Sequence, residues 1–335
     1  MARDCTPASV GPAMRAIIPG GPGGPEVLQM LERPVPDPGP GQVRIRVQAA
    51  GINRHDINQR KRGHGPEGST DILGLEVAGT VAATGAGVDP AWQGRRVAAL
   101  TDGGGYADHA LAEAALLLDW PEGLSAIEAA ALPEALFTLQ LNLVDLGDLG
   151  LGDWLLIHGG TSGIGMAGIR FAALLGARTL VTAGSDAKCA RATAHGAHLA
   201  INYRTEDFPA RVREATDGHG ADMILDTVGG QYAARNIDAL AADGRLVHLS
   251  PAPPEFCVPL GAIMAKRARV TGALLRGLPL ARKVALAEAI RATVWPHATA
   301  SLRPVIDRTF ALDQAAEAHR HMDSGTHMGK IVLTT

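Results

Sequence analysis

The sequence predicts an α/β fold: a doubly wound parallel sheet, joined to a second, mainly β domain that the chain enters twice. Three observations predict it. Residues 153–165, DWLLIHGGTSGIG, run from a short apolar strand through a glycine-rich turn straight into a helix. From there strand and helix patterns alternate to about residue 296, the rhythm of parallel strands with crossover helices. Residues 14–112 instead show period-two alternation with Gly and Pro punctuation, and the tail 304–334 reads strand, helix, strand.

Taken in order, residues 1–13 read as a flexible N-terminal extension. Residues 14–18 read as a strand, PGGPGGP (19–25) as a turn, 27–31 as a second strand and the Pro/Gly-rich 33–41 as a loop. Val43, Ile45 and Val47 alternate with Arg44, Arg46 and Gln48, which marks a half-exposed strand. GINRHDINQRKRGHG (51–65) leaves it as a polar, basic stretch. Strands follow at 75–84 and 95–100, with 103–112 as a turn and hairpin partner, so the first hundred residues read as antiparallel β without a helix of length. Residues 125–146 are helical, and Pro133 opens a second helix because the first turn needs no proline N–H. Parallel strands are expected at 153–158, 178–183, 198–201, 222–226, 244–249 and 269–274, with an amphipathic helix at 279–294. The tail is expected to return to the β-rich part. This gives one domain from 14–136 and 297–335 and another from 137–296.

Length and composition narrow the class. A chain of 335 residues can bury a sizeable core. A net charge of −3 provides no field for nucleic acid or anionic lipid. Cys5, Cys189 and Cys257 are odd in number and far apart, which excludes a disulfide framework among them and points to a reducing cytoplasm. No apolar run reaches membrane-spanning length, and the first residues lack an apolar signal core.

The strand–turn–helix at 153–165 is the layout that receives a dinucleotide pyrophosphate. A helix N-terminus offers unpaired N–H groups and the positive end of its dipole. Glycines let the backbone approach closely. In register the turn is Gly160, Thr161, Ser162, Gly163, Ile164, Gly165, with Ser162 either forming the turn or donating its hydroxyl to the cofactor. The next strand, Thr179 to Ala183, carries no acid at its tip for a ribose 2′-OH. Gly184, Ser185 and Lys188 follow, with Tyr203 and Arg204 at the end of the third strand; together they suit a 2′-phosphate and hence NADPH. The bland reading makes Asp186 a helix cap and Lys188 a solvated lysine.

GINRHD (51–56), LGLEVAGTV (73–81), EALFT (134–138), HGGTSGIG (158–165), TAGSDAKC (182–189), INYRTEDF (201–208), ILDTVGG (224–230) and PVIDRTF…GKIVLT occur in this order. Together they resemble the medium-chain dehydrogenase/reductase superfamily, in its zinc-free, zeta-crystallin-like quinone oxidoreductase branch, over residues 14–335. The resemblance implies a Rossmann-type domain, a discontinuous GroES-like domain and NADPH-dependent reduction of a quinone. Zinc alcohol dehydrogenases of the sister branch carry Cys where this chain has Asn53, and the His of Gly-His-Glu where it has Leu75. Leucine cannot ligate zinc. Without a Lewis acid, the workable reaction is hydride delivery to an acceptor that is already electron-poor.

The resemblance places Asn53 and Thr138 beside the nicotinamide. The alternatives are a turn asparagine and a helical hydroxyl bonded to its own backbone. Ser250 follows the fifth parallel strand on the carboxyl edge, where ligands bind. His64, eleven residues after Asn53, stands where related enzymes often carry a tyrosine; it could donate to a quinone oxygen or be a loop histidine. Asp56 is expected to fix the loop rather than react, and Tyr106 to be a strand aromatic rather than line the cleft. Arg54, Arg60, Lys61 and Arg62 are expected on a solvated rim, and Glu317, His319, His321 and His327 on the surface. Family analogy implies a homodimer paired through 269–274. Rival functions are reduction of alkenals or enones, and NADPH binding with weak activity and RNA affinity, which the net charge does not support.

Overall fold

The computed structural model describes residues 12–250, 255 and 257–335; most of the expected N-terminal extension lies outside them. The chain opens with an antiparallel hairpin of β1 (Ala13–Pro19) and β2 (Leu28–Pro34). β3 (Gln42–Gly51) leads into α1 (Arg54–Arg62), followed by β4 (Glu76–Thr84), β5 (Arg96–Leu100), β6 (His109–Glu113) and β7 (Leu118–Asp119). Then come α2 (Ala126–Ala129) and α3 (Pro133–Leu139), with Pro133 at the helix start as expected, and a π-helical extension Gln140–Asp145.

From β8 (Trp154–His158) the elements alternate: α4 (Gly163–Leu174), β9 (Arg178–Ala183), α5 (Asp186–Ala194), β10 (Leu199–Asn202), α6 (Phe208–Ala215). They continue through β11 (Ala221–Asp226), α7 (Ala233–Ala239), β12 (Leu240–His248), α8 (Leu260–Lys266), β13 (Arg269–Gly272) and α9 (Leu280–Thr293). The tail is β14 (Ile306–Ala311), α10 (Ala315–Asp323) and β15 (Lys330–Thr334).

The six parallel strands lie in the order β10-β9-β8-β11-β12-β13. The order reverses between β8 and β11, so a crevice opens at their carboxyl ends. Leu155, Leu156 and Ile157 of β8 are fully buried, as a strand covered on both faces requires. The second sheet runs β14-β15-β3-β4-β5-β7. β15 pairs antiparallel with β3, so the tail does return to the β-rich part. No helix of the described residues is long and apolar enough to cross a membrane.

Four expectations need correction. The stretch 51–65 contains a helix, because the Asn53 N–H donates to the Asp56 carboxylate at its start and left-handed Gly63 ends it. Strand β6 pairs with β3, not with its sequence neighbour β5. One member of the basic run is not on a solvated rim: Arg60 is fully buried, donating to Asp323 at 2.7 Å and to the Gly23 carbonyl at 3.2 Å, while Arg54, Lys61 and Arg62 are exposed and the first two also pair with Asp323. His319 is fully buried beside Arg60 and Tyr106, and His327 is nearly so.

Candidate active site

The glycine turn after β8 is built by its own packing. A Cβ on Gly160 would strike Val181 of β9, and one on Gly165 would strike the Gly159 carbonyl, so strand and helix meet closer than any side chain allows. Ser162 caps α4: its hydroxyl donates to the Gly159 carbonyl at 2.7 Å and accepts from the Gly165 N–H at 3.1 Å. Its own N–H also donates to Gly159. Both donors of Ser162 are therefore committed to the turn, the first of the two roles its position allowed. Ile164 is the first-turn amide left without a partner among the described residues, while the Gly163 N–H turns to the Gly329 carbonyl through the parallel bridge of Ser162 with Gly329. A glycine turn opening a helix whose first turn keeps a free amide is the layout that suits a dinucleotide phosphate.

The structure brings Gly184, Ser185, Lys188 and Tyr203 together at the adjoining strand ends. The Tyr203 hydroxyl lies over Gly184, 2.9 Å from where a Cβ would stand. Ser185 caps α5 by accepting from the Lys188 N–H, and the Lys188 ammonium rests on the Gly325 carbonyl at 2.5 Å. Asp186 is not the cap; it accepts from the Asn202 amide at 2.7 Å. Ser250 stands just past the carboxyl end of β12.

Asn53 lies in a cluster that joins both sheets. Its Nδ2 donates to Glu76 Oε1 at 2.9 Å, and its Oδ1 accepts from the Lys330 ammonium at 2.8 Å. Lys330 forms a buried ion pair with Glu76 and also donates to the Ile52 carbonyl. The Lys330 stem packs on Gly163, where a Cβ would strike it. The Gly329 N–H donates to the Thr161 carbonyl at 2.9 Å. The tail thus ties the glycine turn to Asn53. Asp56, as expected, fixes this loop: it accepts from the Asn53 N–H, the Gly74 N–H and the Tyr106 hydroxyl, and burial pushes its carboxyl up to about 6.

Thr138 and Glu134 are four residues apart on α3 and share a face. The Thr138 hydroxyl makes no backbone bond of its own among the described residues, which removes the bland reading offered for it. The Glu134 N–H donates to Glu76 Oε2 at 2.9 Å, but its carboxyl has no hydrogen-bond partner among the described residues. Burial, and then the charge of Glu76, raise that carboxyl to about 8. Its place in the first turn of α3 favours the anion by only ~0.3–1 kcal/mol, less than the several kcal/mol that desolvating a carboxylate costs.

His64 is not brought to this cluster. Its ring is exposed beyond α1, and Nδ1 lies 2.9 Å from the Gly65 carbonyl. Sequence reasoning missed Glu76, Glu134, Lys330 and Arg276. Arg276, after β13, crosses to the other sheet's loops, donating to Asp102 at 2.7 Å and Gln59 at 2.8 Å. It also meets His55, which burial and this arginine hold neutral at about 4. Leu75, at the sister branch's histidine position, is buried.

Residues 195–333 match the zinc-binding dehydrogenase family, and residues 39–122 the alcohol dehydrogenase GroES-like domain family. Solved quinone oxidoreductases superpose along almost the whole chain. That of Pseudomonas syringae is 29% identical with a TM-score of 0.85, covering 97% of this chain and 100% of that one. The Escherichia coli quinone oxidoreductase, complexed with NADPH, is 27% identical with a TM-score of 0.85, covering 96% and 100%. A solved NAD-dependent alcohol dehydrogenase is 30% identical with a TM-score of 0.82, covering 96% and 99%. The chain belongs to the medium-chain dehydrogenase/reductase superfamily. Among its curated relatives is a mycocerosic acid synthase-like polyketide synthase of Mycolicibacterium smegmatis, 32% identical over 323 residues. Those cover 96% of this chain but only 15% of the synthase, so the chain spans a small part of the curated relatives it matches.

Proposed function

We propose that this oxidoreductase uses NADPH, without zinc, to reduce an electron-poor conjugated carbonyl compound, with a quinone as first candidate. The observation that carries the reading is the junction of the two sheets. The Lys330 stem packs on Gly163 at the start of α4, and the same lysine holds Glu76 and Asn53. Bound there, NADPH supplies the hydride. The start of α4, at Gly163 and Ile164, receives the pyrophosphate; Ser185, Lys188 and Tyr203, with Gly184 leaving room, hold the 2′-phosphate end. Gly160 and Gly165 keep the turn tight, and Ser162 caps it. Asn53 and Thr138 orient the nicotinamide, with Ser250 on the crevice edge. Asn53 and Leu75 stand where a catalytic zinc would need Cys and His, so the donor set does not suit that metal.

Kinship with a polyketide synthase segment favours a second reading, reduction of the carbon–carbon double bond of an enone. The test is NADPH oxidation against a panel of quinones and enones, followed at the nicotinamide absorbance. Turnover of at least one class supports the reading; no turnover of either rejects it.

A homodimer belongs to the same reading. β13 is one of the two edges of the parallel sheet, unpaired on its outer side among the described residues, and Leu260, Met264, Val270 and Leu274 near it are exposed apolar residues. An unpaired edge with apolar flanks is a template for a symmetry mate.

A further inference from the structure

We propose that Glu134 is the catalytic acid that protonates the substrate carbanion when the acceptor is an enone. This rests on the reductase reading above and assigns it a proton donor. The geometry sets Glu134 apart from every other carboxyl of the cluster. Glu76 is saturated by Asn53, Lys330 and the Glu134 N–H, and Asp56 by the Asn53 N–H, the Gly74 N–H and the Tyr106 hydroxyl. Glu134 alone among them has a carboxyl without a partner, and it is half-buried, neither sealed in the core nor bathed in water. It stands one helical turn before Thr138, on the face that the resemblance turns towards the nicotinamide.

Four charged or titratable neighbours act on it: Glu76 from β4 and Asp56 from α1 oppose its ionisation, Lys330 from β15 and Lys283 from α9 favour it. Burial and the two acids prevail, so the carboxyl is raised to about 8 and carries its proton at neutral pH. A donor poised near the working pH is what acid catalysis requires.

The step balances. The β-carbon of the enone gains the hydride, and NADPH is oxidised to NADP⁺. The π pair moves onto the α-carbon and carbonyl as an enolate. The Glu134 O–H bond then breaks, its proton forms the α-C–H bond, and the carboxylate left behind recovers a proton from water. A quinone needs this less, because the anion formed is a phenolate that water protonates readily.

The experiment compares wild type with Glu134→Gln, which keeps the shape and the neutral charge but holds no acidic proton. Both are assayed with NADPH and either 2-cyclohexenone or 1,4-benzoquinone between pH 6 and 10. The expected loss in kcat/KM on the enone is about 100-fold or more, at least ten times the loss on the quinone. The wild-type enone profile should fall above about pH 8, and that limb should vanish in the variant. Infrared difference spectra should show a neutral carboxyl band at pH 7 that E134Q lacks. The proposal is overturned by an enone rate that E134Q leaves intact, by equal losses on both acceptors (a positioning role), or by an ionised Glu134 at pH 7. A wild type that reduces neither acceptor defeats the reductase reading itself, and the acid's role with it.

Discussion

Replacing Lys330 by methionine keeps most of the stem that packs on Gly163 and deletes the charge. Glu76 is then left in a site where it is fully buried, and the Asn53 carbonyl loses its donor. Stranding one member of a buried ion pair costs ~3–5 kcal/mol. That is a large share of a total stability of roughly 5–15 kcal/mol. Urea unfolding at pH 7, followed by the fluorescence of the four tryptophans, measures it. The double variant Lys330→Met with Glu76→Gln removes both charges and should recover at least ~2 kcal/mol, because no unpaired ion remains. The reasoning fails if Lys330→Met costs less than ~1 kcal/mol, or if the double-mutant cycle shows no coupling between the two positions.

Two further outcomes are expected. Lys188→Ala should lower the ratio of kcat/KM for NADPH to that for NADH about tenfold, the worth of one charge-assisted hydrogen bond to phosphate; an unchanged ratio removes Lys188 from the 2′-phosphate site. Val270→Lys places a charge on the β13 edge of the parallel sheet and should convert a dimer to a monomer in sedimentation velocity. A wild type that sediments as a monomer at micromolar concentration rejects the dimer outright.

The parallel domain was legible because its signals are local. An apolar strand, a glycine turn and an apolar helical face lie within the span from Trp154 to Leu175. Helix α1 was hidden because it lacks an apolar stripe: besides Ile57 it buries Asp56, Gln59 and Arg60, whose partners are mostly remote in sequence. The pairing of β6 with β3 depends on a loop that carries the chain past its nearest neighbour, which period-two alternation does not encode. Glu134 reads from sequence as an ordinary acid in a first helical turn; only the arrival of β4 and β15 turns it into an unpartnered carboxyl. A signal for Lys330 and Glu76 was present. Each opens or interrupts an apolar run, Lys330 in KIVLT and Glu76 in LGLEVAG, and a lone charge heading a buried strand needs a partner.

The central claim is hydride transfer from NADPH to a conjugated carbonyl compound with no help from zinc. Its most direct test measures NADPH-dependent turnover before and after exhaustive treatment with a zinc chelator, with metal content determined on the same samples. Undiminished turnover at negligible zinc is the predicted result. Loss of activity on chelation, restored by adding zinc back, would contradict it.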